Sequence, residues 1–357
     1  MVQFLYLVAY LTGRATRRTT LEAVSRLERA VRSVAQREAL LLEARQELDR
    51  ALKIGGPGRY SEQVIGSFRL GNLIGRGGMG EVYEAVSVHD GTGAAVKLLH
   101  PSTLADPRQV SRFVRETEVA AKLDCAHVVG VLEVGTTAGE VPFLAMERLR
   151  GADLAHQLRR RRTMAADDTV DMIRQLAIGL EAARAAGIVH RDLKPHNVFL
   201  ADRAVGGQIW KILDFGVSKL ASGQGTLTRG QVVGTPAYMA PEQARGEDVD
   251  HRADVYALAA IAYRVLTGHP AFTGKDVPST LYDVVYKMPT QPSLLTALPA
   301  DVDRVLALGL AKSASDRFAT APELAEALAL AFGEGLPPTM RRRADDVIER
   351  WAWGARR

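Results

Sequence analysis

His190-Arg191-Asp192-Leu193-Lys194-Pro195-His196-Asn197 places an acid, a cation and an amide within one short turn-forming stretch. Asp192 can accept or orient the proton of an attacking hydroxyl, and Lys194 can neutralise charge building on a transferred phosphoryl group. Asn197, five positions past Asp192, can offer a carbonyl oxygen to magnesium. Twenty-two residues after Asp192 comes Asp214-Phe215-Gly216, which closes the apolar strand 210–213. Asp214 supplies the hard carboxylate that a phosphate-bridging magnesium requires. Singly, these residues have ordinary readings as a capping aspartate, a core phenylalanine or a turn glycine. In this order and spacing they do not.

Upstream, Gly75-Arg76-Gly77-Gly78-Met79-Gly80 is a GxGxxG. In a dinucleotide-binding fold this pattern opens a helix, and an acidic residue follows about 20 positions on. Here the strand-like EVYEAV follows instead. The glycines therefore predict a hairpin folded over a nucleotide, its backbone N–H groups approaching phosphate oxygens and Val82 covering the adenine. Lys97 ends Ala94-Ala95-Val96-Lys97, an apolar strand, 17 positions beyond Gly80. A lone strand lysine usually reaches for solvent; from here its ammonium can reach the α- and β-phosphates. It then needs a carboxylate partner, and the next helix offers Glu116 and Glu118. Residues two apart do not share a helix face. Glu116 is in phase with Phe113, Ala120 and Leu123, so it is the expected partner.

With IGRGGMGEVYEA, AAVK, HRDLKPHN, DFG and GTPAYMAPEQ in order, residues 68–333 resemble the Hanks-type protein kinases, in particular the bacterial serine/threonine kinases. HRDLKPHN together with GTPAYMAPE is similar to the serine/threonine branch and not to the tyrosine branch. The resemblance implies ATP bound with Mg2+, for which Mn2+ can substitute, and protein substrates. It assigns catalytic duty to Asp192, Lys194, Lys97 and Glu116, with Thr235 lining the pocket for the substrate hydroxyl. Ile74, Gly75, Gly77, Gly78, Gly80, Val82, Ala95, Lys97, Met146, Glu147 and Leu149 then bind ATP. Met146 is the gatekeeper, and the Glu147 and Leu149 backbone bonds the adenine. Asn197 and Asp214 hold the metal, and Glu242 pairs with Arg317. Departures are mild: His196 where Glu, Ser or Ala is usual, CAHVV for HPNIV, and ALA at 257–259 for SLG. None removes a group that phosphoryl transfer needs.

The surrounding pattern agrees with an α+β, two-lobed protein-kinase fold preceded by an N-terminal helix. Strands expected at 68–75, 81–87, 94–99, 128–134 and 143–148 make a five-stranded antiparallel N-lobe (68–150), with one main helix over 107–123. Helices expected at 152–161, 167–186, 252–267, 300–311 and 321–332 make a mostly helical C-lobe (151–333), with the site in the cleft. Residues 55–67 read as a linker whose Gly55-Gly56-Pro57-Gly58 is a hinge. Residues 334–357 read as a basic and aromatic tail, either docked or mobile.

The N-terminal region (1–54) opens with a ten-residue apolar run, 2–11, in which Gln3 is the one polar residue, followed by Arg14, Arg17 and Arg18. Ten residues cannot cross a bilayer, which needs about 20 in a helix. The run reads either as a short buried or interfacial helix, or as the end of a spanning helix in a longer product. Residues 20–53 lack Pro and Gly, and Val24, Leu27, Val31, Val34, Leu41, Leu48 and Leu52 follow alternating steps of three and four in a seam interrupted by Glu38 and Arg45. This seam predicts a helix that pairs with another copy, giving a homodimer, or else lies along the catalytic domain.

The net charge of +5 resides in residues 1–60, which hold 11 basic and 6 acidic side chains; the remaining 35 of each sign balance. A neutral catalytic domain argues against a nucleic-acid groove. Cys125 is the single cysteine, which excludes an internal disulfide and fits a cytoplasmic setting, at the face of a membrane if an apolar segment anchors the chain.

Arg191 can hold a phosphorylated loop by charge-assisted hydrogen bonds. The loop over 217–233 carries Ser218, Ser222, Thr226 and Thr228 among mobile glycines, and Thr226 and Thr228 are the expected autophosphorylation sites. A catalytically dead scaffold would lack the strand lysine or one of the aspartates, and Lys97, Asp192 and Asp214 are all present. A small-molecule phosphotransferase would not need the extended segment that ends in Ala240-Pro241-Glu242, a platform for a peptide.

Overall fold

The computed structural model describes residues 55–77, 80–99, 117, 121–137, 141–215 and 236–354. The expected N-terminal helix and its pairing seam, most of the helix over 107–123 and the loop over 217–233 lie outside them.

The first lobe is an antiparallel sheet of β1 (Val64–Ile65), β2 (Phe68–Gly77), β3 (Gly80–Ser87), β4 (Gly93–Leu99), β5 (Val131–Thr136) and β6 (Pro142–Glu147). Their spatial order is β1-β2-β3-β4-β6-β5, six strands where the sequence predicts five. The additional strand, β1, is two residues long, too short for periodicity to show, yet it pairs Val64 with Arg69 and Ile65 with Phe68. Six of the seven residues of β4 are buried, so it reads as one apolar run without alternation. Successive side chains still point to opposite faces. Val96 and Leu98 join Leu70, Leu73, Tyr83 and Phe143 in the lobe's own core. Ala95 joins Val82 and Met146 in a second cluster, with Val129, Leu149 and Leu213. Lys97, two residues on from Ala95, shares its face.

Gly55-Gly56-Pro57-Gly58, expected as a hinge, is hydrogen-bonded to β2. Gly55 N–H donates to Leu73 O and Leu73 N–H to Gly56 O, each at 3.0 Å, and Pro57 bridges to Asn72. The turn-rich segment thus lies along the outer edge of β2, where its backbone groups find partners.

The second lobe contains β7 (Gly151–Asp153), α1 (Leu154–Arg160), α2 (Ala166–Ala185), β8 (Val198–Asp202), β9 (Gln208–Ile212), α3 (Pro241–Arg245), α4 (Arg252–Thr267), α5 (Val277–Tyr286), α6 (Ala300–Gly309) and α7 (Ala321–Phe332). β7, β8 and β9 form a small antiparallel sheet in that order. Side chains cap several helix starts: Asp153 accepts from His156 N–H at 2.6 Å and Asp276 from Ser279 N–H at 2.8 Å. α4 is buried from Ala253 through Thr267 and forms the axis of the lobe. Its unusual Ala259 admits α6 closely: a Cβ at Gly309 would lie 2.5 Å from the Ala259 Cβ.

The tail is docked. α8 (Pro338–Arg350) buries Ala344 and Val347 in the lobe's core, with Trp351 and Trp353 packed against it. Arg341 meets Asp301 at 2.6 Å and Arg304 meets Asp345 at 2.8 Å. Gly354 N–H then donates to Pro289 O at 2.8 Å. These contacts alternate apolar and charged positions along a polar-looking helix, which is why composition alone left docking undecided.

Candidate active site

The loop from His190 to Asn197 leaves α2 and enters β8, and one buried carboxylate fixes its start. His190 N–H donates to Asp254 Oδ2 at 2.7 Å, and Arg191 N–H to Oδ1 at 2.9 Å. Burial inside α4 raises the Asp254 carboxyl above its ordinary pKa, while His190 and the two amides pull the other way. The grip holds Arg191 at φ +65°, a left-handed conformation that costs a non-glycine residue about 1–3 kcal/mol. Gln243 Nε2 from α3 donates to Arg191 O at 2.8 Å and supports the same turn. The His190 ring is fully buried, edge-on to Phe215 with centroids 4.7 Å apart. Asp192 N–H donates to its Nδ1 at 3.2 Å, so the proton sits on Nε2 and points at Leu213 O, 2.8 Å away. His190 therefore ties the loop to the DFG strand.

Beyond it, Lys194 Nζ lies 2.7 Å from Asp192 Oδ2. Asn197 Nδ2 donates to Asp192 O at 2.8 Å, leaving its Oδ1 for another partner. Leu213 N–H donates to Asn197 O at 2.8 Å, which sets Asp214 beside the loop. Asp214 stands at φ +60°, and its Oδ2 is 2.8 Å from Lys97 Nζ, which extends from β4 across the cleft. Burial acts to raise the Asp214 carboxyl, but the Lys97 ammonium, by charge and hydrogen bond, with His190 and Lys194 behind it, takes it below the ordinary carboxylate range. Asp214 is thus ionised at neutral pH. Asp192, Lys194, Asn197 and Asp214 share one wall of the cleft, and Lys97 reaches it from the other.

Above this polar wall, Val82, Ala95, Met146 and Leu149 form one apolar cluster with Val129 and Leu213. Such a slot suits a flat base. Ile74 lies at its margin, 38% exposed. Glu147 N–H is taken by Gly130 O at 2.8 Å, so any bond from Glu147 to a base must use its carbonyl. The Glu147 carboxylate accepts from Gly130 N–H at 2.8 Å and from Lys211 Nζ at 2.5 Å, joining the end of β6 to β9. Gly75 and Gly77 pair with Val82 and Gly80 in the hairpin. Gly80 has a further reason to be glycine: a Cβ there would lie 2.0 Å from Leu98 O. Gly78, Glu116, Thr226, Thr228 and Thr235 lie outside the described residues.

Among the described residues no group of three or more His, Cys, Asp and Glu could by itself hold a metal. Asn197 and Asp214 nevertheless fit magnesium, which takes few protein oxygens and completes its shell with phosphates and water.

The model for the protein kinase domain matches residues 68–320. The chain belongs to the protein kinase family. Within it, the kinase falls among the bacterial serine/threonine kinases of Hanks type. It is 39% identical over 279 residues to the serine/threonine-protein kinase Pkn1 of Myxococcus xanthus, covering 78% of this chain and 40% of that protein. It is 34% identical over 286 residues to PknE of Mycobacterium tuberculosis, covering 80% of this chain and 49% of that protein. The chain thus spans less than half the length of these curated relatives. The crystal structure of the M. tuberculosis PknI kinase domain is similar with a TM-score of 0.63 and 30% identity, covering 76% of this chain and 99% of that one. Members of the family use ATP and a divalent metal.

The kinase's sequence singles out candidate residues for chemistry but not everything that places them. Val129 and Leu213 complete the base slot, and their only signal is apolar character beside a motif. The Asp254 anchor and the Glu147–Lys211 link bring together residues 64 apart in the chain. The sequence implies that Lys97 and Asp214 approach one nucleotide but pairs Lys97 with Glu116, so their direct contact is decided by the fold. The Glu242–Arg317 pair is the one the resemblance implies, bidentate at 2.6 Å with Arg317 1% exposed.

Proposed function

We propose that this protein transfers the γ-phosphoryl group of ATP to serine and threonine hydroxyls of proteins. The observation that carries this is the Lys97–Asp214 pair, 2.8 Å apart, facing Asp192 and Lys194 below an apolar slot. Magnesium, held by Asn197 and Asp214, would neutralise and orient the phosphates. Lys97 would leave its bond to Asp214 in part and hold the α- and β-phosphates, with Glu116 as its second anchor. Asp192 would orient the attacking hydroxyl, with Thr235 lining that pocket. Its Oδ2 is occupied by Lys194, which leaves Oδ1 for the hydroxyl. Lys194 would meet the negative charge of the migrating group.

Activation is proposed to run through Thr226 and Thr228. The buried Nε of Arg191 has no hydrogen-bond partner among the described residues, and a phosphothreonine is the kind of acceptor that a guanidinium beside a catalytic aspartate would take. A homodimer through the helix over 20–53 would raise the local concentration of one domain around the other. A cytoplasmic location, at a membrane face if an apolar segment anchors the chain, fits the basic N-terminal region. No helix among the described residues is long and apolar enough to cross a membrane.

The full chain, incubated with labelled ATP, Mg2+ and a generic basic protein, should label that protein on serine or threonine. Asp192→Asn should lower kcat about 10²–10⁴-fold, the usual contribution of a positioned acid or base. Persistent turnover in Asp214→Ala would refute the reading.

A further inference from the structure

We infer that residues 55–63 are a brace that positions the glycine hairpin, acting through Tyr83 and Glu81 as positioning residues for the nucleotide. The inference rests on the ATP-dependent reading above. β2 and β3 form the two arms of the hairpin, but their ladder is irregular between Leu70 and Leu73 and again between Leu73 and Gly75. At such an irregularity the ladder is locally disrupted and a residue is left without its cross-strand partner. The segment before β1 supplies hydrogen bonds at those positions from the opposite edge of β2. Gly55 and Gly56 bond both backbone groups of Leu73, each at 3.0 Å. Ser61 Oγ donates to Gly71 O at 2.7 Å, Glu62 N–H to Leu70 O at 2.8 Å, and Leu70 N–H to Gln63 O at 2.9 Å. Leu73 is two residues from Gly75, so the brace ends where the nucleotide loop begins.

A side-chain relay extends this grip to the Arg76–Glu81 pair of the hairpin arms. Tyr60 N–H donates to Tyr83 Oη at 3.3 Å, and the two rings meet edge to face with centroids 6.2 Å apart. Tyr83 is fully buried, and its Oη donates to Glu81 Oε2 at 2.6 Å. Burial, then the bond to Glu81, pushes the Tyr83 phenol up to about 12, so it remains a donor across the working pH range. Glu81 Oε1 accepts from Arg76 Nε at 2.9 Å and Nη2 at 2.5 Å. Arg76 and Glu81 are directly opposite each other, one pair from the Gly77–Gly80 closure. Glu81 is only 7% exposed, and a buried carboxylate with that many bonds fixes geometry instead of floating in solvent. Alternation puts Glu81 and Tyr83 on the face away from Val82, so neither touches the base. They act on the nucleotide only through the hairpin arms. Gly58 lies against the relay: a Cβ there would sit 2.4 Å from Tyr83 Oη and 2.6 Å from its ring.

The test uses the full chain and three variants remote from the nucleotide: Gly58→Ala, Ser61→Ala and Tyr83→Phe. Melting temperature, KM for ATP and kcat toward a generic basic protein are measured for each, with affinity for a fluorescent ATP analogue as an independent reading. Gly58→Ala and Tyr83→Phe should each raise KM for ATP about five-fold with kcat changed less than about two-fold. Their combination should be no worse than either alone, because both act on one relay. Ser61→Ala, which leaves the packing of Tyr83 intact, should give a smaller rise of the same kind. Unchanged KM and analogue affinity in folded variants would overturn the inference. So would a parallel fall of kcat and melting temperature, which marks a general structural role. A wild type that transfers no phosphate would instead refute the kinase reading itself.

Discussion

Lys312 is a buried base in the second lobe, and its removal should change how stability depends on pH. It is 3% exposed, its Nζ donates to Val284 O of α5 at 2.6 Å, and it lies 4.4 Å over the Phe272 ring. Burial first, then repulsion from Arg317 and Arg245, lowers its pKa from 10.5 to about 7, with Asp283 opposing. In the unfolded chain the amine regains its ordinary value. Between about pH 7 and 10.5 the unfolded state therefore binds more protons than the native state, and stability rises with pH. Below that window the cost of the buried charge is fully present; above it the cost vanishes. At 1.36 kcal/mol for each tenfold change, the full cost is about 5 kcal/mol, of which about 4 kcal/mol is relieved between pH 6 and pH 10. Lys312→Met removes this cost and also the bond to Val284 O, a loss of about 1–3 kcal/mol that does not depend on pH. Urea unfolding of both proteins across that range isolates the titration as the change in their difference. The variant should be the more stable at the acidic end and should lose that advantage toward the alkaline end. A difference that stays flat within about 1 kcal/mol would refute the account, because it would mean that Lys312 is ionised equally in both states.

Two further outcomes follow from buried charge and from the docked tail. Arg317→Met leaves the Glu242 carboxylate buried without its cation and should lower stability by about 3–5 kcal/mol in denaturant unfolding, while the double variant with Glu242→Gln should recover part of the loss. A chain ended after Gly335 loses α8, the buried Ala344 and Val347, and the guanidinium of Arg341 on Asp301, and its melting temperature should fall by at least about 5 °C.

The legible part of this protein was chemical and local. HRDLKPHN, DFG and AAVK each hold their functional groups within a few bonds, so their spacing restricts what those groups can do before any fold is known. The strand-rich and helix-rich halves were legible too, because amphipathic periods are written along the chain. β1 and the brace over 55–63 were not, because two-residue pairing and turn-like composition carry no period. The tail left docking open, since α8 shows a polar face that only Asp301, Asp345 and the lobe's core make meaningful.

From the sequence alone came the reaction class and the candidate residues for it, because the motifs fix which functional groups the chain carries even though the fold sets their placement and ionisation. Only the folded chain could decide that Lys97 meets Asp214, that Asp254 holds two amides of the loop, and that Tyr83 links residues 55–63 to the hairpin. Those contacts join residues far apart in the chain, and their energies depend on distance and burial, which exist only once the two lobes have closed around a common cleft.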